Sequence, residues 1–414
     1  MNKDWLHTKL GDIAKITCGI AATPEYVDES VGVPFLSARN VQDGKLDLSK
    51  FMYIPKELHK KLTKNTKPKK GDVLLTRVGA GIGKAAFVDI DFEFSVYVSL
   101  TLIQCKGMLD GNFLTFLLNT NYYQYLANRD QFAGGGVQNL NVQMVKGYPV
   151  SIPPLPEQIK IAEILSTWDN AINTVQKLLT NSQQQKKALM QQLLTGKKRF
   201  AGFEEEWEEK RFADLYWYQE GPGVRKHQFT EVGVKLFNGT NIQNSNIDLS
   251  KTTTHIASEE AYGTYAHFLV DEGDLVIACS GISVEKFDEK IAFVEKHHLP
   301  LCMNTSTMRF KTLNPQCSSI KFLRYFLSSK SFKSQIGKQA TGSAQLNFGP
   351  SHVAKCKIEL PNIDEQQKIA AVLTTADQEI DNLRAQLSRL EKEKKALMQQ
   401  LLTGKRRVKV EEAA

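Results

Sequence analysis

The chain has 414 residues, of which 42% are hydrophobic and 24% charged, a composition typical of folded proteins with two or three domains and unlike disordered or collagen-like chains. Its longest apolar runs are far shorter than the roughly 18 residues of a membrane-spanning helix, and its N-terminus lacks the apolar core of a signal peptide, so we expect a cytoplasmic protein. The formal net charge is +8 and the six cysteines are scattered, which predicts no disulfide framework and no metal site.

Residues 1–152 form the first predicted domain, a mixture of strands and helices. Short apolar runs at 73–75 and 87–88 predict strands, and residues 112–128 predict a helix. Between positions 55 and 84, nine basic residues stand against two acidic ones, which indicates a surface for DNA phosphates or, alternatively, an ordinary solvated face. Asn and Gln can pair with adenine edges, and Gly lets a backbone approach a ligand closely. The DNA-binding candidates of this domain are Arg39, Asn40, Gln42, Lys64, Lys67, Lys69, Lys70, Arg77, Lys84, Gln138 and Asn139.

A long helix is predicted to follow in residues 153–199. Three prolines precede Glu157, where an apolar heptad register begins, and Thr195-Gly196 marks its end. The register continues for about five heptads, which is typical of a coiled coil. Its core positions are Ile161, Leu165, Trp168, Ile172, Val175, Leu179, Leu189 and Leu193, with Ser182 and Lys186 in the same register.

Residues 200–360 form the second predicted domain, again of mixed α and β type. Apolar runs at 275–277 and 291–294 predict strands, and residues 319–337 predict a helix. The loop at 341–347 combines Gly with amide side chains, as residues 134–141 do in the first domain, and residues 238–243 carry side-chain donors similar to those of residues 39–42. They contribute the DNA-binding candidates Asn238, Thr240, Asn241, Gln243, Gln345 and Asn347. Structural turns that lead into the next element are the alternative interpretation of the glycines.

The last long segment, residues 361–407, repeats the first helical region, and a short tail at 408–414 follows. KKALMQQLLTGKKR at 186–199 recurs as KKALMQQLLTGKRR at 394–407, with thirteen of fourteen positions identical, so the chain is an internal duplication. The heptad positions of the second helix are Ile369, Leu373, Ile380, Leu383, Leu387, Leu390, Leu397 and Leu401. We predict an antiparallel pair of helices, each nearly 60 Å long at about 1.5 Å per residue, that separates two α/β domains. A helix packed on its own domain is the alternative.

Catalytic motifs are not evident in the sequence. Residues 79–84 are glycine-rich, but a phosphate-binding loop needs Gly at Val78 and a hydroxyl at Ala85. The sequence shows no nucleophile elbow, no zinc-protease motif and no dinucleotide fingerprint. The one Pro-Pro pair, at 153–154, lacks the Asp or Asn before it and the aromatic residue after it that an adenine methylase would need. We therefore expect no catalytic residues in this chain.

Four features recur with nearly constant spacing. They are PPLPEQ at 153–158, its weaker copy PNIDEQ at 361–366, the paired KKALMQQLLTG segments, and the Gly-Asp pairs that begin at Gly71 and Gly273. Over essentially the whole chain this pattern resembles the specificity subunit of type I DNA restriction-modification systems. The second copy departs from the first at Asn362 and Asp364, where the first has prolines.

The resemblance implies an α+β protein with two pseudo-repeated target-recognition domains, each of which reads one half of a bipartite target in double-stranded DNA. It implies that the helices set the spacing and dock two methylation subunits, with restriction subunits in the full complex. It also implies a non-catalytic chain that needs no cofactor, S-adenosylmethionine on the methylation subunits, and ATP and Mg on the restriction subunits. Two alternatives stay open: a self-sufficient DNA-modifying enzyme with unrecognised motifs, and a coiled-coil adaptor without a DNA role.

Overall fold

The chain divides into two compact units, each made of segments that are distant in sequence. The computed structural model describes residues 4–20, 24–42, 44–64, 66–79, 81–130, 139–338 and 345–410. One unit contains residues 1–177 and 385–414, and the other contains residues 178–384. Each unit therefore combines one globular domain with the start of one long helix and the end of the other. None of the helices described is both long and apolar enough to cross a membrane.

The first domain mixes short strands and helices, as the sequence predicts. Its elements in chain order are β1 (Leu6–Lys9), α1 (Leu10–Ile13), β2 (Ala14–Cys18), β3 (Gly32–Leu36), β4 (Val41–Gln42), β5 (Lys45–Leu46), β6 (Met52–Pro55), α2 (Lys56–Thr63), β7 (Val73–Thr76), β8 (Ala85–Phe87), β9 (Ser95–Val96), β10 (Leu100–Cys105), α3 (Gly111–Leu118), α4 (Asn121–Asp130), α5 (Val142–Lys146) and β11 (Pro149–Ile152). The central sheet has the order β2-β10-β7-β8, beside a β6-β3-β9 sheet and the pairs β1-β11 and β4-β5.

The long helix α6 (Leu155–Leu193) leads to the second domain. The elements of that domain are β12 (Glu208–Arg211), α7 (Phe212–Leu215), β13 (Tyr216–Glu220), β14 (Phe229–Thr230), β15 (Val234–Phe237), β16 (Ile242–Gln243), β17 (Asn246–Ile247), β18 (His255–Ile256), α8 (Ser258–Tyr262), β19 (Leu275–Ala278), β20 (Ile291–Phe293), β21 (Leu301–Met303), β22 (Thr307–Thr312), α9 (Ile320–Leu327), α10 (Lys330–Gly337), α11 (Pro350–Val353) and β23 (Lys357–Leu360). The final helix is α12 (Ile363–Leu401).

The second domain repeats the topology of the first although their sequences differ. Its central sheet has the order β13-β22-β19-β20, with an accompanying β14-β18-β15-β21 sheet and the pairs β12-β23 and β16-β17. Of the two apolar runs predicted as strands in each domain, the first is an interior strand, β7 or β19, which is buried at every position, and the second is the edge strand β8 or β20. Strands paired on both sides and covered on both faces tolerate a continuous apolar run. The predicted α+β architecture with an internal repeat is confirmed.

The single helices predicted at 112–128 and 319–337 are each two helices in the structure. The first breaks at Asn119, whose amide accepts a hydrogen bond from Ala85 N (3.1 Å) and donates one to Ala85 O (2.9 Å). The second breaks before α10, whose N-cap Ser329 accepts a hydrogen bond from Phe332 N. Polar side chains that bond to the backbone compete with helix continuation, and sequence periodicity alone does not reveal this.

Both long helices have 39 residues, as the heptad pattern predicts, and begin two residues earlier than predicted. Pro156 is tolerated there because the first turn of a helix needs no N–H donor. In the second copy Asn362 accepts a hydrogen bond from Glu365 N (3.1 Å), so the two helices begin at equivalent positions despite the sequence difference. Gly196 and Gly404 have φ values of +66° and +69°, the left-handed conformation that ends many helices.

The ends of the helices contribute to the cores of the domains. In one unit, Ile161 and Leu165 near the start of α6 share an apolar cluster with the first domain and with Leu401. In the other, Ile369 and Leu373 near the start of α12 share a cluster with the second domain and with Leu193. The start of each helix thus packs on its own domain, as the alternative interpretation held, while the end of the other helix joins the same core.

Candidate nucleic-acid interface

In the first domain, three chain segments meet beside one end of the central sheet. A turn at 97–99 joins β9 to β10, and its Ser99 contacts both neighbouring segments. The Ser99 hydroxyl accepts a hydrogen bond from Ala38 N (2.9 Å), and its carbonyl accepts one from Arg77 N (2.9 Å). The loop at 38–42 and the β7–β8 loop at 77–84 therefore lie side by side. We call this region the loop edge of the first domain.

The second domain builds an equivalent loop edge. The Ser306 hydroxyl accepts a hydrogen bond from Gly239 N (2.9 Å), and the Ser306 carbonyl accepts one from Cys279 N (2.9 Å). The loop at 239–243 and the loop after β19 thus meet at the turn between β21 and β22. Asn347 joins them, because its side-chain oxygen accepts hydrogen bonds from Gly281 N (2.8 Å) and the Ser280 hydroxyl (2.9 Å).

Asn40 and Asn241 hold the shape of these loops. Asn40 is 3% exposed, and its side chain accepts a hydrogen bond from Ser37 N (3.0 Å) while donating to the carbonyls of Asp47 and Lys50. Asn241 makes equivalent bonds with Asn238 N, the Asp248 carbonyl and the Thr252 hydroxyl. Because their polar groups are used within the fold, these two candidates are better suited to shape the loop than to read a base.

Arg77 is also used within the first domain. It is 8% exposed, and its Nε donates to the Asn139 side chain (3.1 Å) and to the Leu140 carbonyl (3.2 Å). This contact brings exposed Asn139 to the loop edge, and Asn139 and Val78 form a β-bridge. The candidate Gln138 lies outside the described residues.

Most of the remaining candidates at the two loop edges are exposed. In the first domain these are Arg39, Gln42 and Lys84. In the second domain Asn238 is half-buried, where its side chain accepts a hydrogen bond from Asn304 (2.9 Å). The exposed candidates of the second domain are Thr240, Gln243, Gln345 and Asn347. The first edge is therefore cationic as well as polar, whereas the second presents mainly amides and a hydroxyl.

Unlike Lys84, the candidate lysines that precede β7 lie away from the loop edge. Lys67, Lys69 and Lys70 precede β7, whereas Arg77 follows it, so they lie at opposite ends of that strand. Lys67 is ion-paired with Glu93, and Lys70 with Asp89 at 2.7 Å. Exposed Lys64 ends α2 in the same part of the chain. Acidic residues that follow residues 55–84 in the sequence therefore neutralise part of the positive charge of this stretch.

Two basic side chains of the second domain, one half-buried and one buried, have lowered pKa values. Lys290 donates to the carbonyls of Ile242 (2.7 Å) and Gly239 (3.4 Å), and burial lowers its pKa. His298 accepts a hydrogen bond from Glu295 N through Nδ1 (2.9 Å), and burial likewise lowers its pKa from the ordinary value of 6.5. Neither residue stood out in the sequence, because no local sequence pattern distinguishes a buried Lys or His from an exposed one.

The sequence motif Glu-Gln at the start of each helix has a structural explanation. Glu157 accepts two-pronged hydrogen bonds from Arg407, and Glu365 accepts them from Arg199. Both carboxylates are buried, and these bonds are the largest cause of the raised pKa of each guanidinium group. The Arg residues after the helix-ending glycines are therefore ion-paired within their units.

Gln158 and Gln366 connect the helix starts to the domains. Gln366 is fully buried, accepts a hydrogen bond from Ser319 N (2.9 Å), and donates to the carbonyls of Cys317 (3.1 Å) and Pro361 (2.8 Å). Gln158 makes the equivalent three bonds in the other unit, with Asp110 N and the carbonyls of Met108 and Pro153.

The predicted coiled-coil core positions are all buried or half-buried in both helices. The lysines in that register each meet an aspartate of the other helix: Lys394 contacts Asp169 in one unit, and Lys186 contacts Asp377 in the other. Lys394 faces Asp169, and thirteen residues later Arg407 faces Glu157, so residue numbers rise along one segment while they fall along its partner. The helices are thus antiparallel within each unit.

The fold and its loop edges define a class: a duplicated α+β protein that presents two different polar surfaces on one repeated frame. Two copies of the family model described as "Type I restriction modification DNA specificity domain" match residues 2–181 and 204–392. The chain belongs to this family, and it is a specificity subunit of the type I restriction-modification kind.

Named relatives and solved structures agree with this assignment. The chain is 27% identical to the type I restriction enzyme MjaVIII specificity subunit of Methanocaldococcus jannaschii, over 98% of this chain and 94% of the relative. It is 25% identical to the putative MjaX specificity subunit of that organism, over 98% and 95%. The fold matches the S subunit of a type I system from M. genitalium with a TM-score of 0.63 at 15% identity, over 97% and 96% of the two chains. It also matches a chain from a structural study of type I complex assembly and conformational transition, with a TM-score of 0.55 at 14% identity over 97% and 98%.

Proposed function

We propose that this chain reads a bipartite sequence in double-stranded DNA, and that each loop edge contacts one half of the target. The observation that carries the proposal is the repeated Ser99 and Ser306 frame, on which the two domains present different exposed side chains. A shared frame with different surface groups is what two readers of different base sequences require, since base edges are distinguished by the placement of donors and acceptors.

The charge distribution supports a division of labour at the first edge. Arg39 and Lys84 there can contact phosphates, which contribute affinity without sequence information. Gln42 and Asn139 carry both a donor and an acceptor, as a bidentate contact to adenine requires. In the second domain Gln243 occupies the position equivalent to Gln42, two residues after the loop asparagine.

We further propose that the chain itself is non-catalytic and acts in the cytoplasm as part of a larger complex. The long helices would dock two methylation subunits that carry S-adenosylmethionine, and restriction subunits would carry ATP and Mg. Among the described residues no group of three or more His, Cys, Asp or Glu side chains is placed to hold a metal ion. The helices would also set the spacing between the two half-sites.

The test is a selection of bound duplexes from a random DNA library, with the full chain assembled with its methylation subunits. We expect a target of two short specified halves separated by an unspecified gap. Gln42→Ala and Gln243→Ala form a matched pair, and each should relax the preference in one half only. A selection without sequence preference, or a change in both halves from either substitution, would contradict the proposal.

Methyl transfer separates the enzyme alternative from this proposal. The isolated chain is incubated with labelled S-adenosylmethionine and DNA, in parallel with the assembled complex. We expect label in DNA only with the complex. Transfer by the isolated chain would instead establish a self-sufficient enzyme.

A further inference from the structure

One hydroxyl in each domain makes the same contact in two otherwise different sequences. Ser99 and Ser306 both precede the strand that pairs with the interior strand of the central sheet, and both are half-buried. Each accepts one backbone N–H through its side chain and another through its carbonyl, with all four distances at 2.9 Å. The same two bonds, with equal lengths, thus recur in both domains, and this recurrence identifies a shared structural requirement.

The donors show what the hydroxyl does. Ala38 and Gly239 are the first residues of short 3-10 turns, Ala38–Asn40 and Gly239–Asn241. The first N–H groups of a helical turn have no partner within the turn, so the serine hydroxyl satisfies a donor that the loop cannot satisfy itself. The serine carbonyl meanwhile binds the loop after the interior strand. One residue thus fixes the position of two exposed loops relative to each other.

The fit around this contact is close. A Cβ atom added at Gly239 would lie 3.0 Å from the Ser306 carbonyl oxygen and 2.8 Å from the Ala278 Cβ. The 3-10 turn therefore cannot move inward, and the hydroxyl bond opposes its moving outward. Removal of the hydroxyl would weaken the restraint on the turn in that one direction, towards the solvent where a DNA groove would lie.

We propose that Ser99 and Ser306 are positioning residues for sequence readout. Each holds the 3-10 turn of its own domain in the position from which the exposed side chains reach base edges. Each therefore controls only the half-site that its own domain reads. This inference rests on the proposed function, and it adds the residues that set the geometry of the reading surface without contacting DNA.

The two domains differ in how strongly the turn is held. In the second domain Asn304 also donates to the Asn238 side chain (2.9 Å), directly before the 3-10 turn. In the first domain the equivalent residue is Tyr97, a side chain without an amide group, whose ring packs against Phe35 at 5.7 Å between centroids. Loss of the serine hydroxyl should therefore affect the half-site of the first domain more than that of the second.

The experiment uses the full chain assembled with its methylation subunits and the target selected by the wild-type complex. Equilibrium binding is measured for that target and for two derivatives, each with one base pair changed in one half. Discrimination is the ratio of the affinities for the intact and the changed target. The variants are Ser99→Ala, Ser306→Ala and the corresponding threonine substitutions, which keep a hydroxyl.

We expect Ser99→Ala to lower discrimination at one half by about tenfold, roughly the contribution of one good base contact, and to leave the other half unchanged. Ser306→Ala should lower discrimination at the opposite half by a smaller factor. Both threonine variants should retain most of the wild-type discrimination.

Ser318→Ala is the control for a merely structural serine. Ser318 is 1% exposed in the second domain, and its hydroxyl donates to the Leu215 carbonyl (3.1 Å). This variant should lower the unfolding midpoint without changing either discrimination ratio. If Ser99→Ala and Ser306→Ala behave in the same way, or alter both halves equally, the inference is overturned while the proposed function stands. A wild-type complex without sequence preference overturns both.

Discussion

The buried glutamine at the start of α12 offers a sharp test of how the helices are joined to the domains. Replacing Gln366 with Leu puts an apolar side chain of similar size in its place and removes three hydrogen bonds, to Ser319 N and to the carbonyls of Cys317 and Pro361. A buried backbone group left without a partner costs about 1–3 kcal/mol. Since carbonyls find other donors more easily than an N–H finds an acceptor, we expect a total loss of about 3 kcal/mol.

The loss is measurable by urea unfolding and by hydrogen exchange. With a dependence on urea of about 2.5 kcal/mol per molar, the midpoint of the affected unit should fall by about 1.2 M. Exchange should accelerate at Ser319 and along α9, because the amide bonded by Gln366 precedes that helix. Gln158→Leu is the mirror experiment and should destabilise the unit that contains the first domain.

The adjacent exposed residue provides the control. Gln367→Leu changes the same side chain on the solvent face of the helix, and such surface substitutions usually stay within about 0.5 kcal/mol. The reasoning would be refuted if Gln366→Leu cost under about 1 kcal/mol, or if it destabilised both units equally. Either result would mean that the buried amide is not what joins the helix to the domain.

Three further predictions follow from other parts of the structure. Arg199→Ala should lower the thermal midpoint more than Arg407→Ala, measured by calorimetry, because the glutamate partner of Arg407 keeps a backbone N–H donor from the next residue. His298 has a lowered pKa in the fold, so its contribution to stability is present above pH 6.5 and lost as the pH falls through the folded pKa. The thermal midpoints of wild type and His298→Asn should therefore converge at low pH. A difference between the two midpoints that does not change with pH would contradict this. One heptad inserted after Ser182 and one after Leu390 lengthen each helix by roughly 10 Å. Methylation mapping should then show unchanged half-sites with a gap wider by up to roughly three base pairs, or reduced activity. Altered half-sites with the original gap would show that the helices do not set the spacing.

The sequence by itself determined the duplication, the two long helices and two strands of each central sheet. These features follow from local sequence patterns: heptads that run from Ile161 to Leu193, glycines at the helix ends, and unbroken apolar runs such as 73–75. They depend on which residues are near each other along the chain, and that is the information a sequence displays directly.

Only the tertiary structure decided which polar residues share a surface and which serve the fold. Arg407 reaches Glu157 across 250 positions, and the charge of Lys70 is offset by Asp89 from the following strand region. Asn40 matched the composition of a base reader, yet the carbonyls around it take up its amide. The role of Ser99 had no signal in the sequence, because it arises only where two loops are brought to one hydroxyl. Hydrogen bonds and ion pairs between distant segments follow from packing, and residue type alone does not specify them.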